Sequence, residues 1–439
     1  MKRIVASIGA AAIGSAVLPH AQAQPVSLSP QESTKPWSVA VALRGFYDDN
    51  YLYAPRGSSD TPDSFGFEVR PTLGLNIPLE QTYFGFDVTY SGQWYEARPD
   101  EQWDNSFLAN AILTHSFTDL VSLEVRDGFV YSDRPELTDA TLPPAQQTFR
   151  TDNTAINNRG DVQMTIGLSP RLGLVLGYQN LFWDYQNDNP AAENAPPAGA
   201  SLSALLDRME HLIPINLRHQ TGPSTVTFIG YNYGMVGYTS DEFLYDYSIY
   251  GGPAGVGPKA DTRDYRSHYG YVGVEHNFTP LLGLGVRGGV QYSDFFNSLN
   301  SDTTLTPYGD VSLSYLYTTG SQAEIGYTLS QAATDQAAPD ATGTPTLNRL
   351  VSSVYARVDH QLLPQLHAGL FGQWQYSVYN GGAYDGQNDN LYLLGASLRY
   401  AFNQFLSTDL GYTFDYLDSD VDSRGYTRNR VYIGLTASY

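Results

Sequence analysis

Along most of the chain, apolar residues recur at every second position, separated by small or polar ones. Near the end, Val431, Ile433, Leu435, Ala437 and Tyr439 share one parity, and Arg430, Tyr432, Gly434, Thr436 and Ser438 share the other. Successive side chains of a strand point to opposite faces, so such a segment has one apolar and one polar face. The same alternation predicts eighteen strands, over residues 37–53, 64–78, 81–96, 104–118, 119–133, 155–170, 171–187, 205–220, 223–239, 262–279, 281–297, 302–318, 321–334, 347–363, 364–379, 388–403, 404–418 and 424–439.

A soluble sandwich would also alternate, and the connections decide between the two. Leu79-Glu80, Thr118-Asp119, Pro170-Arg171, Thr221-Gly222, Pro280-Leu281, Gly320, Leu363-Pro364 and Asn403-Gln404 are tight turns, and between them lie longer polar stretches such as 134–154, 188–204, 240–261, 335–346 and 380–387. Turns on one side and loops on the other predict an all-β transmembrane antiparallel up-and-down β-barrel of about 18 strands, with short periplasmic turns and longer extracellular loops. The mean hydropathy of −0.30 does not oppose this, since only alternate residues of a barrel strand meet lipid.

Met1-Lys2-Arg3, an apolar run and Ala21-Gln22-Ala23 read as an export signal over 1–23. Residues 24–36 read as a polar, Pro-rich periplasmic tail, and 37–439 as the barrel. The absence of Cys excludes disulfides and thiolate metal sites. A formal net charge of −21 excludes nucleic acid as a partner, because phosphate contacts need clustered Lys and Arg.

Four histidines recur just before tight turns, at His115, His219, His276 and His360, with Tyr400 at the equivalent place in a fifth hairpin. Trp94, Trp183 and Trp374 recur ten to thirteen residues beyond turns. These intervals rise through about 26 to 34 Å of tilted strand, so the two sets are expected to be the lower and upper membrane-interface girdles.

Parity also sorts the charges. Glu68, Arg70, Asp87, Glu124, Arg126, Arg159, Asp161, Arg218, Glu275, Arg287, Glu324, Arg357, Asp359, Arg399, Asp409, Asp415, Arg428 and Arg430 fall on the polar face and are expected to line the lumen. Arginine's planar fork suits carboxylates, phosphates or sugar hydroxyls, so these residues either brace the wall or contact a permeant. The acidic excess then belongs to the loops and rims. Asp418-Ser-Asp420-Val-Asp422 lacks the glycine of a calcium loop, and Asn429 stands where its bidentate Glu would be. The chain shows no nucleophile elbow and no His-Glu-x-x-His pair, so no enzyme, metal or cofactor is expected.

The opening Val41-Ala-Leu-Arg44-Gly-Phe-Tyr47-Asp48-Asp49-Asn50-Tyr51-Leu52-Tyr53, the following Phe67-Glu-Val-Arg70-Pro71-Thr-Leu-Gly-Leu75 and the closing Tyr426-Thr427-Arg428-Asn429-Arg430-Val-Tyr-Ile-Gly-Leu resemble the β-barrel porin family often called type 2. The resemblance implies an outer-membrane protein and carries no catalytic residue. The expected function is a passive aqueous pore for small hydrophilic solutes. Its alternatives are an exopolysaccharide export pore working with a periplasmic partner, or a closed structural or surface-interaction barrel. A loop such as 240–261, with Tyr245, Tyr247 and Tyr250, would fold inward to narrow a pore. Expected partners are outer-membrane lipid and lipopolysaccharide, the barrel assembly machinery through the last strand with Tyr439 as its signal, and small solutes or polysaccharide in the lumen.

Overall fold

The computed structural model describes residues 35–58, 61–99, 102–134, 154–186, 200–298 and 302–439. The expected signal over 1–23, nearly all of the tail over 24–36, and the loop acids Asp60, Asp100, Glu101 and Asp139 lie outside these residues.

Eighteen strands follow one another in chain order. They are β1 (Trp37–Asp48), β2 (Ser64–Pro78), β3 (Thr82–Tyr95), β4 (Trp103–Thr118), β5 (Val121–Ser132), β6 (Ala155–Ser169), β7 (Leu172–Tyr185), β8 (Arg208–Gly222) and β9 (Thr225–Tyr238). The second half comprises β10 (Tyr265–Thr279), β11 (Leu282–Asp294), β12 (Thr303–Thr318), β13 (Ser321–Ala332), β14 (Asn348–Leu363), β15 (Leu366–Asn380), β16 (Asn388–Ala401), β17 (Leu406–Ser419) and β18 (Tyr426–Ser438). Every neighbouring pair is antiparallel, and β1 pairs with both β2 and β18, so the sheet closes into an 18-stranded barrel. Closure satisfies the backbone of every strand on both edges, which a chain surrounded by lipid requires.

The outer face is an apolar belt. Leu305, Ile433 and Phe65 are 70, 63 and 63 % exposed, a solvation that only lipid would make favourable. Near the turns the belt repeats one motif: His115 meets Phe117, His276 meets Phe278 and Tyr400 meets Phe402 edge-on, with ring centroids 4.5, 4.6 and 5.1 Å apart. Thr82 and Thr225 hydroxyls lie 2.7 and 2.8 Å from Nδ1 of His115 and His276.

Two elements differ from the sequence expectation. β1 stops at Asp48 rather than continuing to residue 53, and Tyr51 and Tyr53 turn into the barrel and are buried. The eighth strand starts at Arg208 because Leu202–Leu206 forms one turn of helix, α1, whose N-cap Ser201 Oγ accepts the Ala204 amide at 3.0 Å.

At the loop end, α1, the 239–264 loop and the 333–347 loop share a small apolar core of Leu205, Leu206, Leu244, Tyr245 and Ala337. The 239–264 loop therefore folds onto its neighbours: Tyr245 Oη donates to the Gly343 carbonyl at 2.7 Å, and Phe243 bridges to Lys259. The side chain of Tyr250 lies outside the described residues.

Candidate functional site

The inner wall divides into a filled side and an open side. On β8–β12 large polar side chains meet across the lumen face. Tyr271 Oη lies 2.6 and 2.9 Å from Oδ1 of Asn216 and Asn232, both nearly fully buried, and the Arg287 guanidinium sits 5.3 and 5.2 Å from the rings of Tyr271 and Tyr308. Arg287 Nε donates to Asp310 at 2.6 Å. Space for the Tyr271 ring comes from Gly230, where a Cβ would strike that ring.

On β1–β6 and β14–β18 the wall encloses a cavity of about 1590 Å³. Its lining runs from Trp37, Gly320, Gln365 and Tyr439 at the turn end to Tyr53, Arg98, Arg134 and Trp183 at the loop end. Charged side chains pair around it, most of them with near neighbours in the sheet. Arg44 contacts Glu68 at 3.5 Å and Asp409 at 3.1 Å; Arg126 contacts Glu124 at 2.9 Å, Arg159 contacts Asp161 at 2.9 Å, and Arg357 contacts Asp359 at 2.8 Å. The Arg44–Asp409 pair crosses β18 above Gly434, which faces both residues in the register; a Cβ there would lie 2.6 Å from Arg44 Cγ and 2.9 Å from Asp409 Oδ1.

The remaining expected lumen residues are placed as follows. Glu68 also accepts from Ser91 Oγ at 2.6 Å, Asp87 accepts from Asn110 Nδ2 at 2.9 Å, and Asp161 accepts from Gln179 Nε2 at 2.5 Å. Arg218 pairs with Glu275 at 2.5 Å, and Glu324 accepts the Tyr355 hydroxyl at 2.9 Å. Arg430 donates to Gln93 at 3.1 Å and stacks over Phe46, while Arg70 lines the cavity. Arg399 is different: it lies between His367 and Asp409 in the register, but Asp409 is taken by Arg44, and Arg399 stays exposed to the cavity with no ion pair among the described residues.

Of the aromatic girdle residues, Trp94 stacks on Phe67 at 5.3 Å and Trp374 Nε1 donates to Asn390 at 3.1 Å, both on the apolar parity of their strands. His219 shares its parity with the exposed Ile213, Ile215 and Leu217, and His360 stacks on Tyr317 at 5.6 Å. Trp183 is a correction. It stands on the inner parity of β7 with Val175, Gln179 and Tyr185, lines the cavity, and carries the Arg208 guanidinium 5.1 Å from its ring. Its spacing from the turn suits a girdle, but odd positions of β7 face inward, and parity outranks spacing in a strand.

Sequence reasoning missed several charges. Arg44, Asp48, Arg98, Asp104 and Asp310 all face the lumen or its mouth; the parity of Arg44 with Ala40, Ala42 and Phe46, all buried, was the available signal. At the closing seam, Arg428 Nε donates to Asp48 Oδ2 at 2.9 Å, Arg428 also meets Asp415 at 3.7 Å and the Tyr53 hydroxyl, and Asn429 Nδ2 donates to Asp49 at 2.7 Å. Asp48 and Arg428 are almost completely buried.

Most of the described loop acids are engaged instead of projecting. Asp133 accepts from the amide and side chain of Asn105, Asp418 pairs with Arg56, Asp420 accepts the Asn388 amide, and Asp389 is held by Arg424 and the Tyr379 hydroxyl. Burial opposes ionisation of Asp335, but Arg424 prevails and holds its carboxyl below the usual range. Burial pushes Asp264 up to about 6, against a hydrogen bond donated by the Tyr238 amide. Arg263 beside it is fully buried and donates to the carbonyls of Thr334 at 3.0 Å, Ala204 at 3.2 Å and Leu205 at 2.5 Å, so one guanidinium ties the three inward loops together.

Among known proteins, the family model described as "Putative beta-barrel porin 2" matches residues 324–439, from within β13 to the C-terminus. No curated protein matches the chain. Similar solved structures include OccAB4 of Acinetobacter baumannii (15 % identity, 94 % of this chain and 100 % of that one, TM-score 0.42) and opdK of Pseudomonas aeruginosa (13 %, 92 % and 99 %, 0.42). A BenF-like porin of Pseudomonas fluorescens Pf-5 is also similar (11 %, 92 % and 99 %, 0.47). With scores below one half, these likenesses say nothing about cargo. The chain is a closed 18-stranded antiparallel β-barrel, and its residues 324–439 are similar to the β-barrel porin family.

Proposed function

We propose that the barrel is a passive aqueous pore for small hydrophilic solutes. The observation that carries this reading is the cavity of about 1590 Å³, whose lining includes residues from both ends of the barrel. An eighteen-stranded barrel is wide enough for such a path. Its wall carries many polar and charged side chains, and most of those charges are locally neutralised, which favours hydrated small solutes over one tightly bound ligand. The filled side and the inward loops narrow the lumen and set an upper size for the cargo. In this reading Glu68, Asp87, Glu124, Arg126, Asp161, Arg357, Asp359, Arg399, Asp409 and Arg430 are the wall past which solutes move. Residues 1–23 direct export, and Tyr439, which the Lys35 ammonium overlies at 3.8 Å, ends the strand that the assembly machinery engages.

The test is conductance of the refolded barrel in planar bilayers, with a swelling assay in liposomes for sugars of increasing size. Steady open conductance and a size cut-off are expected. A heat-modifiable, folded barrel that passes neither ions nor sugars would refute the pore.

A further inference from the structure

The lipid-facing surface is not uniform around the barrel. On β15–β17 its loop-end belt is aromatic, with Trp374, Tyr376, Tyr392 and Tyr416, and the Arg56 guanidinium 4.7 Å over the Tyr416 ring is paired with Asp418. On β7–β11 it carries Arg266, His211 and His268 instead, with Asp294 facing the guanidinium. The register sets Asn180 opposite His211, His211 opposite Met235, Met235 opposite Arg266 and Arg266 opposite Asp294; beside this row run Ile213, Tyr233, His268 and Tyr292. All have the parity opposite to the buried Asn216, Asn232, Ser267, Tyr271 and Gln291, so they point away from the lumen. Among the described strand arginines, Arg266 is the one on the outward parity.

These groups retain unused donors. The Arg266 side chain is 48 % exposed, lies over the Phe296 ring at 4.7 Å, and reaches the acid facing it, Asp294, only at 3.5 Å. Nδ1 of His211 receives the Asn180 amide nitrogen at 3.3 Å and lies 2.8 Å from the Tyr178 hydroxyl. An amide nitrogen can only donate, so Nδ1 is the acceptor and the imidazole proton sits on Nε2. His211 therefore offers Nε2–H on the same face as the Arg266 guanidinium, and such donors suit phosphate oxygens. Nδ1 of His268 lies 2.7 Å from Tyr231 Oη, a hydroxyl that can donate or accept.

We propose that Arg266, His268 and His211 form an outer-face docking site for a phosphorylated lipid headgroup of the leaflet on the loop side. Position favours a lipid over a soluble anion. The exposed Ile215, Ile229, Tyr231 and Val272 form an apolar apron toward the turns, which acyl chains would cover while the phosphate meets Arg266.

The test uses full-length barrel in neutral detergent, with lipid retention measured by native mass spectrometry against bis-phosphorylated lipid A, the dephosphorylated lipid and inorganic phosphate. Wild type retains bis-phosphorylated lipid A, and retention falls about tenfold or more in Arg266→Gln/His268→Gln and with the dephosphorylated lipid. Arg56→Gln, which removes an outward arginine already held by Asp418, leaves retention unchanged. Asp294→Asn removes the competing acid and tightens binding, a second readout should the double variant misfold. Equal retention of both lipids, equal retention by the folded double variant, displacement by millimolar inorganic phosphate, or no tightening in Asp294→Asn would each overturn the site.

Discussion

Replacing Arg428 by Met tests whether buried charge holds the barrel shut. Arg428 on β18 donates to Asp48 on β1 and lies 3.7 Å from Asp415 on β17, and the two carboxylates are 0 and 1 % exposed. Removing the guanidinium takes from the buried Asp48 carboxylate the cation that pairs with it, a change that costs about 3–5 kcal/mol when one partner of a buried pair is lost. The comparison is Arg56→Met, which breaks an ion pair whose side chains are 41 and 56 % exposed and should cost less than about 1 kcal/mol. Reversible urea unfolding in lipid vesicles, followed by tryptophan fluorescence, reads both. Arg428→Met should lower the midpoint far more than Arg56→Met, and Arg428→Met combined with Asp48→Asn should recover part of the loss. If Arg428→Met costs as little as Arg56→Met, the seam is held by strand pairing alone and the argument from buried charge is wrong.

Three further outcomes are expected. Arg399→Glu, at the exposed lumen cation, should move the reversal potential in a salt gradient toward cations without changing the unfolding midpoint, and the shift should shrink at 1 M salt; an unchanged potential would mean that ions do not pass Arg399. Arg263→Met leaves the carbonyls of Ala204, Leu205 and Thr334 without their donor, so amides of α1 and the 239–264 loop should exchange at least tenfold faster while the strands stay protected. Asp264 is raised by burial to about 6, so its protonated form favours the packed loop. That contribution is complete below the ordinary carboxylate range and lost as pH rises through about 6, and loop exchange, corrected for intrinsic rate, should accelerate over that window in wild type but not in Asp264→Asn.

The barrel was legible because its cause is local. Alternation fixes which residues face lipid, and turn length fixes which strands pair, so the strand order and the apolar belt follow from residues near one another in the chain. Parity also puts Glu68, Asp87 and Arg357 on the polar face, and they are among the residues that line the cavity. It failed where another feature was read in its place: Trp183 was assigned by distance from a turn, and Asp310 and Arg44 were passed over on strands whose periodicity pointed inward.

By itself, then, the sequence determined an alternating chain of hairpins that must close in a membrane, because a period of two and unpaired strand edges leave lipid-embedded residues no other solution. The tertiary structure alone decided which side of the lumen is filled, that Arg399 stays without an ion pair among the described residues, and how three loops share the buried Arg263. Those outcomes depend on the register of strands and on contacts between residues far apart in the chain, such as Arg44 with Asp409 across Gly434, and alternation carries no information about them.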